Sequence, residues 1–540
     1  MTSMKTRLAS AGMLGLVLIG WTGSTPRAEG PRSDERSALH VLNRITFGPR
    51  AGDVARVQAE GIQRFIDLQL HPERLADTDF NARLADFETL GLDSRTLAQR
   101  YELPAVQERL ARQQNAGTAP TVSAAPTAPS PVQQRGNLPL VELSEQKLLR
   151  AVYSERQLEA VLTDFWFNHF NVDARKGPER FMLTAYERDV IRPHVLGHFR
   201  DLLGATAKSP AMLFYLDNWM SADPNGPHLD RAAPDARARV ARIRGQANGP
   251  VFPLRRPGAA ADAPAPPQRP TGLNENYGRE LLELHTLGVD GGYTQADVTE
   301  VARAFTGWTI QNPRLGGGYR FAPALHDDGE KVVLGHRIKA GGGERDGEQV
   351  LDIVAAHPAT ARFIARKLAR RFVSDTPPDA LVERLATTFR RTDGDLREVM
   401  RTLLLSPEFL SGQSDGAKVK NPFEFFVSAL RATGVEVADA RPAVRSLQEL
   451  GMPLYQCQPP TGYADRADAW VNTGALVNRM NVALALANGQ LRGISLPSPA
   501  GPPSLPGSGA SEATRATIAR AQSPAQAMAL ALGSPEFQRR

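Results

Sequence analysis

The sequence predicts a mainly α-helical protein, a multi-helix orthogonal or bundle-like array with one small β-hairpin element. Apolar residues recur at helical spacing through most of the chain, as at i, i+3, i+4 and i+7 within 157–172. Helix-start signals precede such runs, as where Thr294 and Asp297 resemble a capping box. Strand-like runs are short and lie between glycine-rich turns, at 319–321 and 332–334, which predicts a hairpin and not a large sheet.

The first predicted helices follow one another closely. Gly48 and Pro49 break an apolar run that begins at Leu39, and Gly61 separates two further stripes, so three short helices are expected between 39 and 70. The next informative helix is 157–172, whose motif FWFNHF is apolar nearly all round and is therefore expected to be buried. Shorter helices are predicted at 179–190, 199–207 and 212–217.

Apart from the hairpin, the second half of the chain is predicted to be mostly helical. On an ideal helix Tyr277, Leu281, Leu284 and Gly288 fall within about 60° of one another, so they are expected to face inward. The sequence ADVTEVARAFTGW then gives a second helix at 294–305. Further helices are predicted at 347–356, 358–373, 379–390, 395–405, 422–432, 440–450 and 473–487, and a short one at 534–537.

Composition divides the 540-residue chain into a helical core and several biased segments. We predict a signal peptide at 1–28 and a single helical domain at 33–490. Two Ala/Pro-rich stretches without periodicity, at 113–137 and 224–270, are expected to be disordered insertions. A loose linker at 491–512 then leads to a C-terminal helix within 513–540 that docks on the domain.

The N-terminus has the pattern of an export signal. Lys5 and Arg7 precede an 11-residue apolar run at 11–21, which is too short to span a membrane. Cleavage after Ala28 gives a periplasmic or extracellular protein without a stable membrane span, and an uncleaved anchor is the alternative. Cys457 is the single cysteine, so an internal disulfide is excluded.

The charge balance does not favour nucleic acid as a partner. The chain has 64 basic and 58 acidic residues, a formal net charge of +6, and three of the basic residues lie in the predicted signal. Five arginines within 224–270 leave binding of an anionic polymer as an alternative to a solvated insertion.

The stretch 274–288 holds a dense group of ionisable side chains beside an apolar stripe. Glu280 and Glu283 are three residues apart, about 60° around a helix, and are close enough to share a cation or a proton. Arg279 and Asn276 on the same helix are candidate substrate-binding residues. The structural alternative is a salt-bridge ladder of Glu275, Arg279 and Glu283 at i, i+4 spacing.

Histidines elsewhere supply the other candidate catalytic groups. His169 continues the apolar row of 157–172, with Trp166 beside it as a candidate substrate contact. His326 and Asp327 lie in a loop after the first strand of the hairpin. Each histidine also has a structural alternative. His169 is then a hydrogen-bonded core imidazole, and His326 belongs to a solvated loop.

Further candidate residues would bind an anionic substrate or a metal ion. Lys331 is a candidate contact for an anionic substrate or a partner for Asp327. If a metal is bound, His169, Glu280, Glu283 and His326 are its candidate ligands. The chain carries no HExxH, GxSxG, GxxxxGKS or GxGxxG motif.

Several motifs together resemble one bacterial family, the domain of unknown function 1800. They include LNRITFGP, DFWFNHFNV, LNENYGRELLELHTLGVDGGYT, HPATARFIARKLARRFV, two SPEF segments and PPTGYADRADAWVNTGALVNRMN, spread from about residue 39 to 537. The resemblance implies export, and a genomic neighbour that itself resembles sulfatases and alkaline phosphatases. It implies no particular reaction.

Two functional hypotheses follow. The first is an extracytoplasmic enzyme in which His169, Glu280, Glu283, His326 and Asp327 converge for metal-assisted or acid/base hydrolysis. The second is a non-catalytic binding or accessory partner of the exported phosphatase- or sulfatase-like neighbour. The sequence identifies no cofactor, although a divalent metal fits the first hypothesis. The second requires an exposed apolar patch.

Overall fold

The computed structural model describes residues 34–116, 130–228, 272–411, 414–497 and 510–540. The predicted signal peptide lies outside these residues, as do 117–129 and 229–271 of the predicted insertions and 498–509 of the predicted linker. Within the described residues the protein is mainly α-helical with small two-stranded antiparallel sheets, which confirms the predicted fold class. No helix in these ranges combines the length and apolarity that a membrane span needs.

The described part of the chain before the second insertion contains twelve α-helices of 4 to 16 residues. Both flanks of the first predicted insertion (113–137) are helical. α6 ends at residue 116, inside the predicted segment, and α7 begins at residue 131. The helices are α1 (Glu35–Ile45), α2 (Asp53–Glu60), α3 (Ile62–Leu70), α4 (Thr78–Ala82), α5 (Ser94–Leu97), α6 (Leu103–Ala116), α7 (Pro131–Gly136), α8 (Leu138–Tyr153), α9 (Gln157–His169), α10 (Glu179–Ala185), α11 (Phe199–Ala207) and α12 (Pro210–Tyr215).

The helices after the second insertion include α16 and α17, which follow one another in the chain and pack together. Thr294 and Asp297 form the predicted capping box at the start of α14. The helices are α13 (Glu275–Glu280), α14 (Gln295–Ala304), α15 (Glu344–Ala356), α16 (Pro358–Phe372), α17 (Asp379–Arg391), α18 (Leu396–Leu404), α19 (Pro407–Leu410), α20 (Pro422–Thr433), α21 (Arg441–Glu449), α22 (Thr473–Ala487), α23 (Glu512–Ala519) and α24 (Pro524–Leu532).

The strands form three antiparallel pairs in the described part of the chain. β1 (Trp308–Ile310) pairs with β2 (Tyr319–Phe321), with Trp308 opposite Phe321, and β3 (Lys331–Val333) pairs with β4 (His336–Ile338). A third pair joins β5 (Glu436–Val437) to β6 (Ile494–Ser495). The predicted hairpin region therefore contains two small ribbons.

The central stretch departs from the ideal helix assumed in the sequence analysis. After α13 the chain continues as a π-helix, Leu281–Thr286, whose wider turns rotate the side chains that follow. Leu282 and His285 are consequently buried, whereas Leu284 is only half-buried. The prediction for Leu284 was therefore wrong, and His285, which was not among the residues predicted to face inward, lies in the core.

One continuous apolar core links the two halves of the described chain. α9 contributes Phe165, Trp166 and Phe167 to it, and α20 contributes a run of phenylalanines. The C-terminal segment joins the same core through Phe537 and pairs with the chain just before α20, at Val419 and Arg539. The helices that carry the candidate site are thus held against one another by apolar burial.

Candidate functional site

A cavity of about 240 Å³ lies between α8, α9 and α16 and is covered by the loop 452–466. We call it the first cavity. Its wall carries Lys147 from α8, Asp164 and His169 from α9, Lys367 from α16 and Tyr463 from the loop. Segments more than 200 residues apart in sequence therefore meet at one space, as is common for ligand sites between packed helices.

Two asparagines near the end of α9 hold the loop in place. Asn168 donates to the carbonyl oxygen of Tyr463 at 2.8 Å and accepts the Tyr463 N–H at 2.7 Å. Asn171 donates to the carbonyl oxygens of Cys457 and Pro459 at 2.8 and 2.9 Å. These bonds satisfy backbone groups of the loop. The end of α9 and the residues just after it therefore hold the loop over the cavity.

His169 has one ring nitrogen engaged and one without a hydrogen-bond partner. Its Nε2 lies 3.1 Å from the carbonyl oxygen of His285, which can only accept, so Nε2 carries the proton in the neutral ring. Nδ1 then holds the lone pair, and no described group donates to it. Burial, followed by the positive charge of Lys367, lowers the pKa of His169 well below its usual value. His169 is therefore a neutral, oriented imidazole with a vacant acceptor.

Positive charge dominates the wall of the first cavity. Five basic side chains and two carboxylates line it. Lys147 is paired with Asp164 at 2.6 Å, whereas no hydrogen bond or ion pair among the described residues engages the Lys367 ammonium. Burial lowers the pKa of Lys367 to about 8, although Asp465 opposes this. The arrangement favours a small ligand with a negative charge.

The two predicted glutamates lie on half-buried surface beside α13. Burial first, and then the charge of Glu283, raises the pKa of Glu280. Glu283 accepts a hydrogen bond from the Tyr293 hydroxyl at 3.2 Å. Arg279 is 3.7 Å from Glu275 and donates to Gln295 at 2.8 Å, so part of the predicted ladder is present.

The predicted loop residues belong to a buried polar network next to β3. His326 donates from Nδ1 to the Thr306 carbonyl oxygen at 2.8 Å, and its Nε2 lies 3.2 Å from Asp346. Lys331 is buried and donates to the same Asp346 carboxylate at 2.6 Å. Arg303 donates to Asp327 at 2.7 Å. Burial alone would raise the pKa of Asp327, but the bonds from Arg303 outweigh it and lower the pKa.

The structure does not gather the predicted residues around one space. Of the five candidate catalytic residues, His169 lines the first cavity, while His326 and Asp327 belong to the network beside β3, and Glu280 and Glu283 lie beside α13. The convergence expected from the sequence is therefore not observed.

Two of the other predicted substrate contacts are buried. Trp166 packs against Phe170 and Phe199, and Lys331 is enclosed by carbonyl and carboxylate oxygens. Asn276 is exposed at the start of α13.

The proposed metal ligands are separated as well. His169, Glu280, Glu283 and His326 do not form one coordination sphere, and no group of three or more His, Cys, Asp or Glu side chains in the described ranges is arranged to hold a metal ion.

Sequence reasoning missed Lys367, Arg370 and the loop that covers the cavity. Lys367 and Arg370 lie three residues apart on the basic face of α16, which looks like an ordinary solvated face in the sequence. The available signal was the pair of motifs HPATARFIARKLARRFV and PPTGYADRADAW, both used above for the family resemblance. The structure shows that these two motifs and DFWFNHFNV line the same cavity.

Comparison with known proteins supports the family and nothing narrower. Neither the curated proteins nor the solved structures include a match. The model of one family, described as a protein of unknown function (DUF1800), matches residues 40–539. The chain belongs to the DUF1800 family, as its motifs indicate.

Proposed function

We propose that the protein is an extracytoplasmic enzyme that hydrolyses a small anionic substrate in the first cavity by acid/base chemistry. One observation carries the proposal. His169, with its Nε2 proton held by a carbonyl and its Nδ1 unengaged, lines the same cavity as the unpaired Lys367. A positioned imidazole next to a cation is a common combination for activating water against an anionic ester.

In this mechanism the bound substrate makes His169 a stronger base. Lys367 and Arg370 attract the anionic group, and its negative charge offsets the repulsion that Lys367 exerts on a protonated His169. Binding of the anion therefore raises the pKa of His169 by removing the second of its two main causes, while burial continues to lower it. Nδ1 takes a proton from the attacking water, and Lys367, with a pKa of about 8, returns a proton to the leaving group.

Anion binding is the first test. Titration of the mature protein with inorganic phosphate or sulfate in a calorimeter is expected to show binding that Lys367→Met weakens at least tenfold. Lys339→Met is the matched control, because Lys339 is exposed and lies outside the wall of the first cavity. Phosphate or sulfate at about 10 mM would occupy even a weak site. No detectable binding at that concentration would remove the basis of the proposal.

Catalysis is tested separately. The mature protein is assayed with p-nitrophenyl phosphate, p-nitrophenyl sulfate and the neutral p-nitrophenyl acetate. We expect turnover of an anionic ester in preference to the neutral one, and a loss of about 100-fold or more in His169→Gln. Activity that survives His169→Gln would show that the imidazole is not the base.

The second candidate, a binding role toward an exported phosphatase- or sulfatase-like partner, is favoured by one surface. On α22, Leu476, Val477 and Leu484 are 42%, 52% and 44% exposed, and they lie within about 100° of one another around the helix. Co-expression with the neighbouring gene product, followed by co-purification, is expected to yield a complex that Val477→Glu disrupts. A complex unaffected by Val477→Glu would show that α22 is not the binding surface.

Export is part of the proposal. If the segment 1–28 is a signal peptide, intact mass analysis of the protein recovered from the periplasm or medium is expected to give a chain that begins at Glu29. Recovery of the full-length chain in the membrane fraction would favour the uncleaved anchor.

A further inference from the structure

A second cavity, of about 390 Å³, lies between α1, α20 and the C-terminal segment. Leu39, Pro49, Ala432 and Phe537 give it an apolar body. The residues Asn421 and Lys420 are adjacent in sequence but face different spaces, because Asn421 lines the first cavity and Lys420 lines the second. The second cavity is therefore a distinct site.

Lys420 is the unusual side chain in this cavity. It is only 4% exposed, yet no hydrogen bond or ion pair in the described residues engages its Nζ, which lies 4.0 Å from the centre of the Phe537 ring. Its backbone is held on both sides, because its N–H donates to Gln538 at 2.9 Å and its carbonyl accepts from Arg479 at 2.8 Å. The backbone bonds thus fix the position of Lys420, and no described carboxylate forms an ion pair with its amine.

The surroundings keep this amine uncharged for much of the time. Burial, followed by the positive charges of Arg540 and Arg479, outweighs the opposing carboxylate of Glu424 and lowers the pKa of Lys420 to about 7. A desolvated lysine beside other cations is the arrangement that makes an amine nucleophilic near neutral pH.

We propose that the second cavity binds a small aldehyde or ketone carrying an anionic group, and that Lys420 forms an imine with its carbonyl carbon. The lone pair of Nζ attacks the carbonyl carbon, and the carbonyl electron pair moves to oxygen, which takes a proton to give a carbinolamine. The nitrogen then loses its remaining proton, the C–O bond breaks and one water leaves, so that a C=N bond replaces the C=O bond. No oxidant or reductant takes part in this step.

The rest of the cavity wall accounts for the anionic group. Four basic side chains, including Arg36, line the cavity against two carboxylates, Asp415 and Glu536. Arg36 is paired with Asp415 at 2.6 Å, whereas Arg539 is exposed and makes no ion pair within the described ranges. The Nε of Arg540 is buried without an acceptor. A carboxylate or phosphate on the ligand would meet these donors while the apolar walls take its body.

The test uses 4-formylbenzoate, an aldehyde that carries a carboxylate, followed by reduction of any imine with sodium borohydride. Peptide mass spectrometry of the mature protein at pH 7 then measures the adduct at each lysine. We expect Lys420 to be labelled at least tenfold faster than the exposed Lys339, and we expect benzaldehyde, which lacks the carboxylate, to label Lys420 more slowly. Labelling of Lys420 at or below the rate of Lys339 would overturn the proposal.

Variants separate this site from the first cavity. Lys420→Met is expected to remove the Lys420 adduct and leave that at Lys339, whereas His169→Gln is expected to leave Lys420 labelling unchanged. If Lys420→Met does not fold, the ratio of the two adducts in the unaltered protein still decides the question. Equal labelling by 4-formylbenzoate and benzaldehyde would refute the anionic part of the proposal.

Discussion

Burial sets the charge of the basic side chains that matter most in this protein. His169 and His285 are buried against one another, with ring centroids 6.1 Å apart, and both face Lys367. Burial, followed by Lys367, lowers the pKa of His285 to about 3. Since a protonated imidazole would have to sit in an apolar, positively charged environment, both rings stay neutral in the folded protein.

This neutrality predicts an acid-sensitive fold. Each folded-state pKa lies below the unfolded value near 6.5, so the unfolded chain binds protons that the folded chain does not, and stability falls as the pH drops through 6.5. Together the two histidines are expected to lower the free energy of unfolding by about 3 kcal/mol between pH 7.5 and pH 5.5. Urea denaturation at the two pH values measures this change.

A variant isolates the contribution of one ring. His285→Asn is expected to reduce the pH-dependent loss by about 1.4 kcal/mol, since one titrating group is removed. His336→Asn serves as the control, because His336 is exposed on β4. If His285→Asn has the same pH dependence as the unaltered protein, the histidine is not held neutral by the fold. Two other charged groups lie nearby: Asp465 raises the pKa of Lys367 and Arg370 lowers it. Both therefore affect the two rings through the charge of Lys367.

At the scale of elements, local periodicity predicted most of the described helices. The stripe in 157–172 and the capping box at Thr294 appear in the structure as α9 and α14, because both depend on residues within one or two turns. The π-helix after α13 was missed, since i to i+5 hydrogen bonding leaves no mark in a 3.6-residue pattern. That one change of winding turned His285 into the core and placed its carbonyl beside His169.

The loop over the first cavity gives a prediction at this scale. Gly462 has φ +71°, and a Cβ there would lie 2.2 Å from the carbonyl oxygen of Asn168. Gly462→Ala is therefore expected to push the loop away from α9 and to weaken phosphate or sulfate binding at least tenfold, in addition to destabilising the protein. Calorimetric titration of the purified variant measures the affinity.

Gly451 provides the matched control for that experiment. It has a similar backbone angle, φ +85°, but a Cβ there would meet nothing within 4 Å. Gly451→Ala carries the conformational strain alone, on the order of 1 kcal/mol, and is expected to bind the anion normally. Equal losses of affinity in the two variants would mean that backbone strain, and not contact with Asn168, controls the cavity.

At the scale of the whole molecule, neither cavity could be predicted from the sequence. The first requires Lys147, His169, Lys367 and Tyr463 to meet, and the spacing of these residues in the chain carries no periodic signal. Glu280 and Glu283, which belong to the dense group in the sequence, lie instead on a half-buried surface, and His326 belongs to the network around Asp346.

Glu424 joins three distant parts of the molecule, and its removal is the sharpest test of that assembly. It lies at the start of α20, caps the helix through Asn421, and pairs with Arg371 of α16 and, at 3.0 Å, with Arg540 at the C-terminus. Burial alone would raise the pKa of Glu424, but the two arginines lower it to about 2. Glu424→Gln removes the carboxylate with which two buried guanidinium groups are paired, so we expect a loss of about 3–5 kcal/mol in the free energy of unfolding. Glu408→Gln is the control, because its pair with Arg384 is partly exposed to solvent and is worth at most about 1 kcal/mol. Guanidinium unfolding of both variants measures the difference, and equal losses would show that the buried pairs do not hold the terminal segment to the core.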